Sequence, residues 1–422
     1  MSTVTITCPA GRITGVEKAG VNYFHSVDYA HFPSLYADAE PLPHAVDQDA
    51  TTPQPDKVAL TITTPAESRD NPVIVYVHGG GFEEGSHEDA RTEGTANSRA
   101  GFVQVSIGYR TGLAGFAQFS EDDYAHFRGI DDCLLALEWV QKNIDSFGGD
   151  PTNVTLVGQS AGATIALWLA RRDHYRGAFR RVLANSPAFP AEPFDARKAT
   201  LRQALGKPVT RRSLESLPQE KVDKAYANFR KKFRYGLALG PAPLECAELA
   251  DVPIVTLSTR DEFYDIPAGK KADNTGLRSI IGRYLAPKFD FSHNTYPEWL
   301  QFAKHLDSER IVGRMIGDGL IRRWVAAVAA EAPGETYMME LYRSSKRPAL
   351  HCDDLPHFFG TIDTPAAAEL NGWLHTFART GDTGFPTYHP DHTVWEYDLD
   401  KAEGRVTYGS LDYVDAAFNV VI

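Results

Sequence analysis

Val154-Thr-Leu-Val-Gly-Gln-Ser-Ala-Gly-Ala-Thr-Ile-Ala-Leu-Trp-Leu-Ala170 is the stretch that decides the fold. Val154 to Val157 is apolar and rich in β-branched residues, as in a strand buried on both faces, and Ala161 to Arg171 reads as a helix. Between them, Gly158-Gln-Ser-Ala-Gly162 fits G-x-S-x-G, the pattern of a sharp strand-to-helix turn that lifts a serine hydroxyl out of a sheet. Such a turn strains the serine backbone, and side chains at 158 or 162 would collide with the neighbouring strand and helix. Three fixed positions of glycine and serine recur by chance in about one chain of this length in ten. The strand before the motif and the helix after it are what give it meaning.

Outward from this turn the same alternation continues. Val73-Ile-Val-Tyr-Val77 and Phe102-Val-Gln-Val-Ser-Ile107 read as strands, and from Asp131 the apolar residues Cys133, Leu137, Val140 and Ile144 recur with helical spacing. Phe147-Gly-Gly-Asp-Pro151 stops that helix. Downstream, Pro253-Ile-Val-Thr-Leu257 and Thr336-Tyr-Met-Met-Glu-Leu-Tyr342 read as strands, separated by a helical stretch containing Ile311, Met315, Trp324 and Val328. Leu370, Trp373, Leu374 and Phe377 mark one helix face, with Gly381 where a left-handed C-terminal cap belongs. Alternating strands and helices imply right-handed crossovers and a mostly parallel central sheet flanked by helices. With the serine turn, the expected fold is the α/β-hydrolase fold. Residues 187–250 break the rhythm and are expected to form a helical cap insertion within a single catalytic domain spanning 1–422. No internal repeat is present.

Composition bounds the function. The 422 residues are 43% hydrophobic and 23% charged, ordinary for a globular chain with one large core. No apolar run reaches the roughly eighteen residues needed to cross a bilayer, and the first eight residues lack a basic region followed by an apolar one, so a cytoplasmic location is expected. A net charge of -12 argues against nucleic-acid and anionic-membrane partners and leaves a small molecule as the expected partner. The basic run Arg230-Lys-Lys-Phe-Arg234 reads as a solvated helix face. Cys8, Cys133, Cys246 and Cys352 show no CxxC spacing and read as reduced thiols, Cys352 as a packing residue. His351, Asp353, Asp354 and His357 lie close in sequence, and His389-Pro-Asp-His392 has an i, i+3 pair, but neither set matches a recognised metal motif. No metal or cofactor is expected.

His78-Gly-Gly-Gly-Phe82 follows a strand and precedes the serine turn. Acyl transfer builds negative charge on a carbonyl oxygen, which backbone N–H groups from such a loop, with that of the residue after the serine, can meet. Gly80, Gly81 and Ala161 are the candidate donors. The loop matches neither GxxxxGK[ST] nor GxGxxG, so it does not read as a phosphate cradle. Ser160 also needs a base, and the base needs an acid that fixes its tautomer. On this fold the order is serine, then acid, then histidine, the acid on a loop after a strand. Arg260-Asp-Glu262 stands in that position. Order alone leaves His351, His357, His375, His389 and His392 as bases.

Distributed motifs extend the reading. His78-Gly-Gly-Gly-Phe-x-x-Gly-Ser86, Gly108-Tyr-Arg-x-Gly-Leu-x-Gly-Phe116, Ala136-Leu-x-Trp-Val-Gln-x-Asn-Ile144, Phe147-Gly-Gly-Asp-Pro-x-Asn-Val-Thr-Leu156, Thr259-Arg-Asp-Glu262, His351-x-x-Asp-Leu355 and Phe377-Ala-Arg-Thr-Gly381 together resemble the type B carboxylesterases. The resemblance spans roughly residues 10 to 400. It implies a cofactor-independent serine carboxylic-ester hydrolase working through an acyl-enzyme, with Ser160 as nucleophile, Glu262 as acid and His351 as base. Amidases and carbamate hydrolases share such a triad, and a non-catalytic recognition domain is the reading from another class, because fold does not fix function. Departures from the family pattern are Gln159 in place of glutamate before the nucleophile, Phe263 in place of glycine after the acid, and Asp56-Lys-Val-Ala-Leu60 where secreted relatives carry a pairing cysteine.

Overall fold

The apolar, β-branched runs assemble into one sheet. The computed structural model describes residues 2–123, 126–233, 236–241 and 243–418. Across the sheet the strands lie in the order Ser2–Cys8, Gly11–Lys18, Val21–Val27, Leu60–Pro65, Val103–Ile107, Asn71–Val77, Gly149–Gln159, Arg181–Asn185, Ile254–Thr259, Thr336–Tyr342, Thr393–Asp398 and Glu403–Tyr408, with the short strand Gln48–Asp49 beside Gly11–Lys18. Every pairing from Val103–Ile107 to Thr393–Asp398 is parallel, and antiparallel strands complete both edges.

The central strands are buried on both faces, as their unbroken apolar runs require. Alternation divides their side chains. Val73, Val75, Val105, Leu156 and Val182 join one core cluster with Leu137, Val140 and Ile165 from the helices Arg128–Asn143 and Ala161–Leu169. Ile74, Tyr76, Val157, Leu183 and Val255 join the opposite cluster with Leu370, Leu374 and Phe377 from the helix Pro365–Thr380. Helices therefore cover both faces, and Gly381 caps the last helix at φ 83°.

Several boundaries differ from the sequence reading for identifiable reasons. The strand read at Val154–Val157 begins at Gly149, with a register shift between Gly149 and Val154 that accommodates Pro151, which has no N–H to pair. The stretch from Ile311 to Glu331 is helical throughout, with a π turn over Asp318–Arg322. Pro267–Asp273, Arg278–Leu285 and Tyr296–Leu306 form a separate helical group held by Phe289, Phe291, Trp299 and Met315. Residues 187–250 contain the helices Phe194–Leu205, Arg211–Glu215 and Gln219–Arg230. The carboxyl ends of the parallel strands converge on one rim, where ligands bind in sheets of this kind.

Candidate active site

Where the strand Gly149–Gln159 meets the helix Ala161–Leu169, Ser160 adopts φ 55° and ψ -121°, backbone that a side chain strongly disfavours. Its N–H donates to Asn185 O at 2.8 Å on the adjacent strand, and its carbonyl accepts from Thr164 N at 3.0 Å. A Cβ on Gly158 would stand 2.3 Å from Gly162 O, and one on Gly162 would stand 2.1 Å from Val77 O. Neither position tolerates a side chain, so the two glycines hold the turn tight against sheet and helix.

The loop after Asn71–Val77 runs directly beside this turn. A Cβ on Gly79 would come within 3.1 Å of Ser160 Cβ. Gly80 and Gly81 have φ of 104° and 61°, which glycine adopts without strain. His78 fixes the loop. Its Nδ1–H donates to Gly79 O at 2.8 Å, its ring stacks on Tyr109 with centroids 4.2 Å apart, and Tyr109 Oη donates to His78 O at 2.9 Å. Burial lowers the His78 pKa to about 4, so this ring is neutral. Among the described residues, the N–H groups of Gly80, Gly81 and Ala161 donate to no acceptor in the protein. They are three unspent donors on the rim.

Glu262 and His351 meet from two other strand ends. His351 Nδ1 lies 2.5 Å from Glu262 Oε2, and His351 N donates to Glu262 O at 2.9 Å. Glu262, 1% exposed, accepts through Oε1 from Ser186 Oγ at 2.6 Å and from Thr259 N at 2.8 Å. Gly317, one residue before the π turn, packs against it: a Cβ there would stand 3.2 Å from Glu262 Cβ. The Phe263 ring lies 4.7 Å from the His351 ring. With its proton on Nδ1, His351 presents Nε2 as an acceptor, and Gln159 Nε2 lies 3.3 Å from it. Ser160 Oγ makes no hydrogen bond among the described residues; such contacts often tighten only when substrate binds.

Other histidines are engaged elsewhere. His357 Nδ1 contacts Asp353 O at 2.6 Å, His375 Nε2 contacts Asn97 Oδ1 at 2.8 Å, His389 Nε2 contacts Ala330 O at 2.9 Å, and His392 Nδ1 contacts Asp412 Oδ1 at 2.8 Å. The acidic rivals pin loops instead. Asp261 Oδ2 accepts from Ala349 N at 3.0 Å, Asp353 Oδ2 accepts from Leu350 N at 3.1 Å, and Asp354 Oδ2 accepts from Asn185 Nδ2 at 2.8 Å.

Charge at the site follows from burial and neighbours. Burial opposes the imidazolium form of His351, but Cys352 and the Glu262 carboxylate outweigh it and hold the pKa well above the ordinary histidine value. Burial pushes Asp354 up to about 6; its hydrogen bond from Asn185 works against this and the charge of Glu262 adds to it.

Ser186 was not singled out by the sequence as a partner of the acid. Its signal was available: it follows the strand Arg181–Asn185 by one residue, as Ser160 follows its own strand, and it too has positive φ, 53°. The described part of the basic run is solvated, with Lys231 and Lys232 exposed and Arg230 half-buried. Arg230 Nε pairs with Glu83 Oε1 at 2.6 Å, and Lys231 and Lys232 also border a cavity. The chain passes there from the helix Gln219–Arg230 into the short 3-10 turn Lys231–Phe233. Arg234 lies outside the described residues.

A model described as the carboxylesterase family matches residues 47–205. The chain is 27% identical to the para-nitrobenzyl esterase of Bacillus subtilis (strain 168), over 92% of this chain and 93% of that protein. It is 28% identical to the phenmedipham hydrolase of Pseudarthrobacter oxydans, over 81% of this chain and 76% of that protein. The solved structure of the Geobacillus stearothermophilus carboxylesterase EST55 superposes with a TM-score of 0.82 at 24% identity, over 98% of this chain and all of that one, and so shares the α/β-hydrolase fold. The chain is thus similar to carboxylesterases, through residues 47–205 for the family model and over most of its length for the para-nitrobenzyl esterase.

Proposed function

We propose that the protein hydrolyses carboxylic esters through an acyl-enzyme on Ser160, with His351 as base and then acid, Glu262 as its orienting partner, and the N–H groups of Gly80, Gly81 and Ala161 as the oxyanion hole. The observation that carries this reading is the contact of 2.5 Å between His351 Nδ1 and a Glu262 carboxylate whose other oxygen is already held. His351 Nε2 takes the Ser160 proton as Oγ attacks the ester carbonyl. The developing oxyanion is met by donors already fixed in place, and His351 returns the proton to the departing alcohol. Water then attacks the acyl-enzyme by the same route. We assign 187–250 as a cap beside this rim, and the four unpaired cysteines fit a reducing, cytoplasmic compartment.

The test is a pre-steady-state burst on p-nitrophenyl esters from acetate to palmitate, with parallel p-nitroanilide and carbamate substrates. An ester burst that matches the enzyme concentration and vanishes in Ser160→Ala is expected. A preference for the anilides or carbamates would replace the substrate class, and a full burst in Ser160→Ala would replace the nucleophile.

A further inference from the structure

Between Glu262 and His351 in sequence, the helical group ahead of the π turn has an outer side that is apolar and basic at once. Its helix Arg278–Leu285 packs inward through Gly282, where a Cβ would stand 2.7 Å from Tyr296 Oη, and through Ile281 and Leu285, which join the cluster around Trp299 and Met315. Helical spacing turns Leu277, Ile280 and Tyr284 away from that inner face. They are 58%, 67% and 77% exposed, and Tyr284 is the most exposed large apolar side chain among the described residues. Apolar side chains scattered singly over a surface are ordinary, whereas three in one stripe mark a contact site.

Charge around the stripe runs against the rest of the chain. Residues 266–289 carry Lys270, Lys271, Arg278, Arg283 and Lys288 against one acid, Asp273, in a chain of net charge -12. Asp273 is buried and accepts from the N–H groups of Val312 and Gly313 at 2.7 and 2.8 Å. Of the acids around the segment, Asp290 pairs with Arg323 at 2.8 Å and Asp307 with Arg310 at 3.8 Å, while Asp265 and Glu309 line one cleft with Lys270 and Arg278. Glu298 stands on the following helix, Tyr296–Leu306. Lys271 and Arg283 are exposed and form no ion pair among the described residues. Arg283, three residues after Ile280, borders the stripe.

An occupant of this face must take in projecting apolar side chains and supply negative charge. A second copy meeting it across a two-fold axis would set these cations against themselves. A rigid acidic protein would need hollows cut to three projecting side chains. A lipid surface with anionic headgroups admits them without a matching shape, and a tyrosine ring suits the headgroup level. The acidic remainder of the chain does not forbid the contact, since charges more than about 8 Å away are largely screened at physiological ionic strength.

We propose that the helix Arg278–Leu285 and its basic flanks dock the protein on an anionic lipid surface, with Leu277, Ile280 and Tyr284 entering the headgroup layer and Lys271 and Arg283 meeting its phosphates. The contact is peripheral: no helix among the described residues is long and apolar enough to cross a membrane. Net charge averaged over the whole chain conceals this segment.

The test is co-sedimentation of the full chain with vesicles of phosphatidylcholine alone and of phosphatidylcholine with about one third phosphatidylglycerol, at low and at physiological salt. Binding to the anionic vesicles should exceed binding to the neutral ones about tenfold or more and weaken as salt rises. The double variants Ile280→Ser/Tyr284→Ser and Lys271→Gln/Arg283→Gln should each lower it about tenfold or more. Their circular dichroism and their kcat on soluble p-nitrophenyl acetate should stay at the wild-type values, since none of the four residues touches the catalytic rim. Equal binding to both vesicles, no binding to either, or binding that either double variant retains overturns the proposal. A dimer in sedimentation velocity that Ile280→Ser/Tyr284→Ser dissociates, with no vesicle binding, assigns the face to a second copy and equally overturns it. Binding is read without substrate, so the result is independent of the ester-hydrolase reading.

Discussion

Glu262 Oε2 lies 2.5 Å from His351 Nδ1 while Glu262 Oε1 is held by Ser186 Oγ at 2.6 Å and Thr259 N at 2.8 Å. Both oxygens are engaged, so the carboxylate has one orientation and the imidazole one tautomer. Nε2 is left as the acceptor facing the Ser160 turn. Three strand ends contribute, and the π turn after Gly317 brings a fourth element against the acid.

Replacing Glu262 by glutamine keeps the shape but puts a donor group where an acceptor is needed. A loss of about ten-thousandfold in kcat is expected, as for the equivalent change in a well-studied triad. Asp261→Asn, Asp265→Asn, Asp353→Asn and Asp354→Asn should each lose far less on the same p-nitrophenyl ester. A large loss in one of these with Glu262→Gln still active would reassign the acid.

The serine turn was legible because its signal is local: two glycines, a serine and the strand and helix around them fall within seventeen residues. The pairing of Glu262 with His351 was not legible from periodicity, since 89 residues separate them and two loops must converge; resemblance supplied that pair. Ser186 escaped because it matters through Glu262, a partner remote in sequence. The edge strands Ser2–Cys8 and Gly11–Lys18 alternate more exposed with less exposed residues, but their threonines, glycines and charges hide that period.

Gly81 offers a test of the oxyanion loop that spares the fold. Its φ of 61° costs alanine about 1 kcal/mol, and a new Cβ would meet only Leu237 at 3.6 Å. Stability should change little by urea denaturation, while displacing a donor lowers kcat about a hundredfold to a thousandfold. Gly80→Ala differs, because its Cβ would stand 2.0 Å from Glu84 O and disrupt the loop itself. A folded Gly81→Ala enzyme with wild-type kcat would remove Gly81 from the oxyanion hole.

Asp354 ties the site to stability. Its folded pKa of about 6 stands above the ordinary 3.8, so the native state binds this proton more tightly than the unfolded chain does. The resulting stabilisation is fully present below about pH 4 and is lost as pH rises through 6, a total on the order of 3 kcal/mol. Asp354→Asn should therefore be the more stable protein at pH 7 and should flatten the pH dependence between 4 and 6. Urea unfolding at several pH values checks this, and an unchanged slope in the variant would contradict it.

The pH dependence of turnover reports His351 directly, because only the neutral imidazole can accept the Ser160 proton. Cys352 and Glu262 hold its pKa above the ordinary value despite burial, so kcat/KM should rise with pH and reach half its plateau above about pH 6.5. Gln159 Nε2, 3.3 Å from His351 Nε2, donates to the lone pair of the neutral ring and so favours the neutral form. Gln159→Glu replaces that donor with a carboxylate, which favours the charged ring. Its half-plateau should move to higher pH by about one unit or more, the usual effect of an opposite charge at this range. Glu262→Gln removes a negative charge and should move the half-plateau of its residual activity to lower pH. The two shifts have opposite signs, which a general loss of structure would not produce. If Gln159→Glu leaves the half-plateau in place, the titrating group lies beyond reach of residue 159 and is not His351.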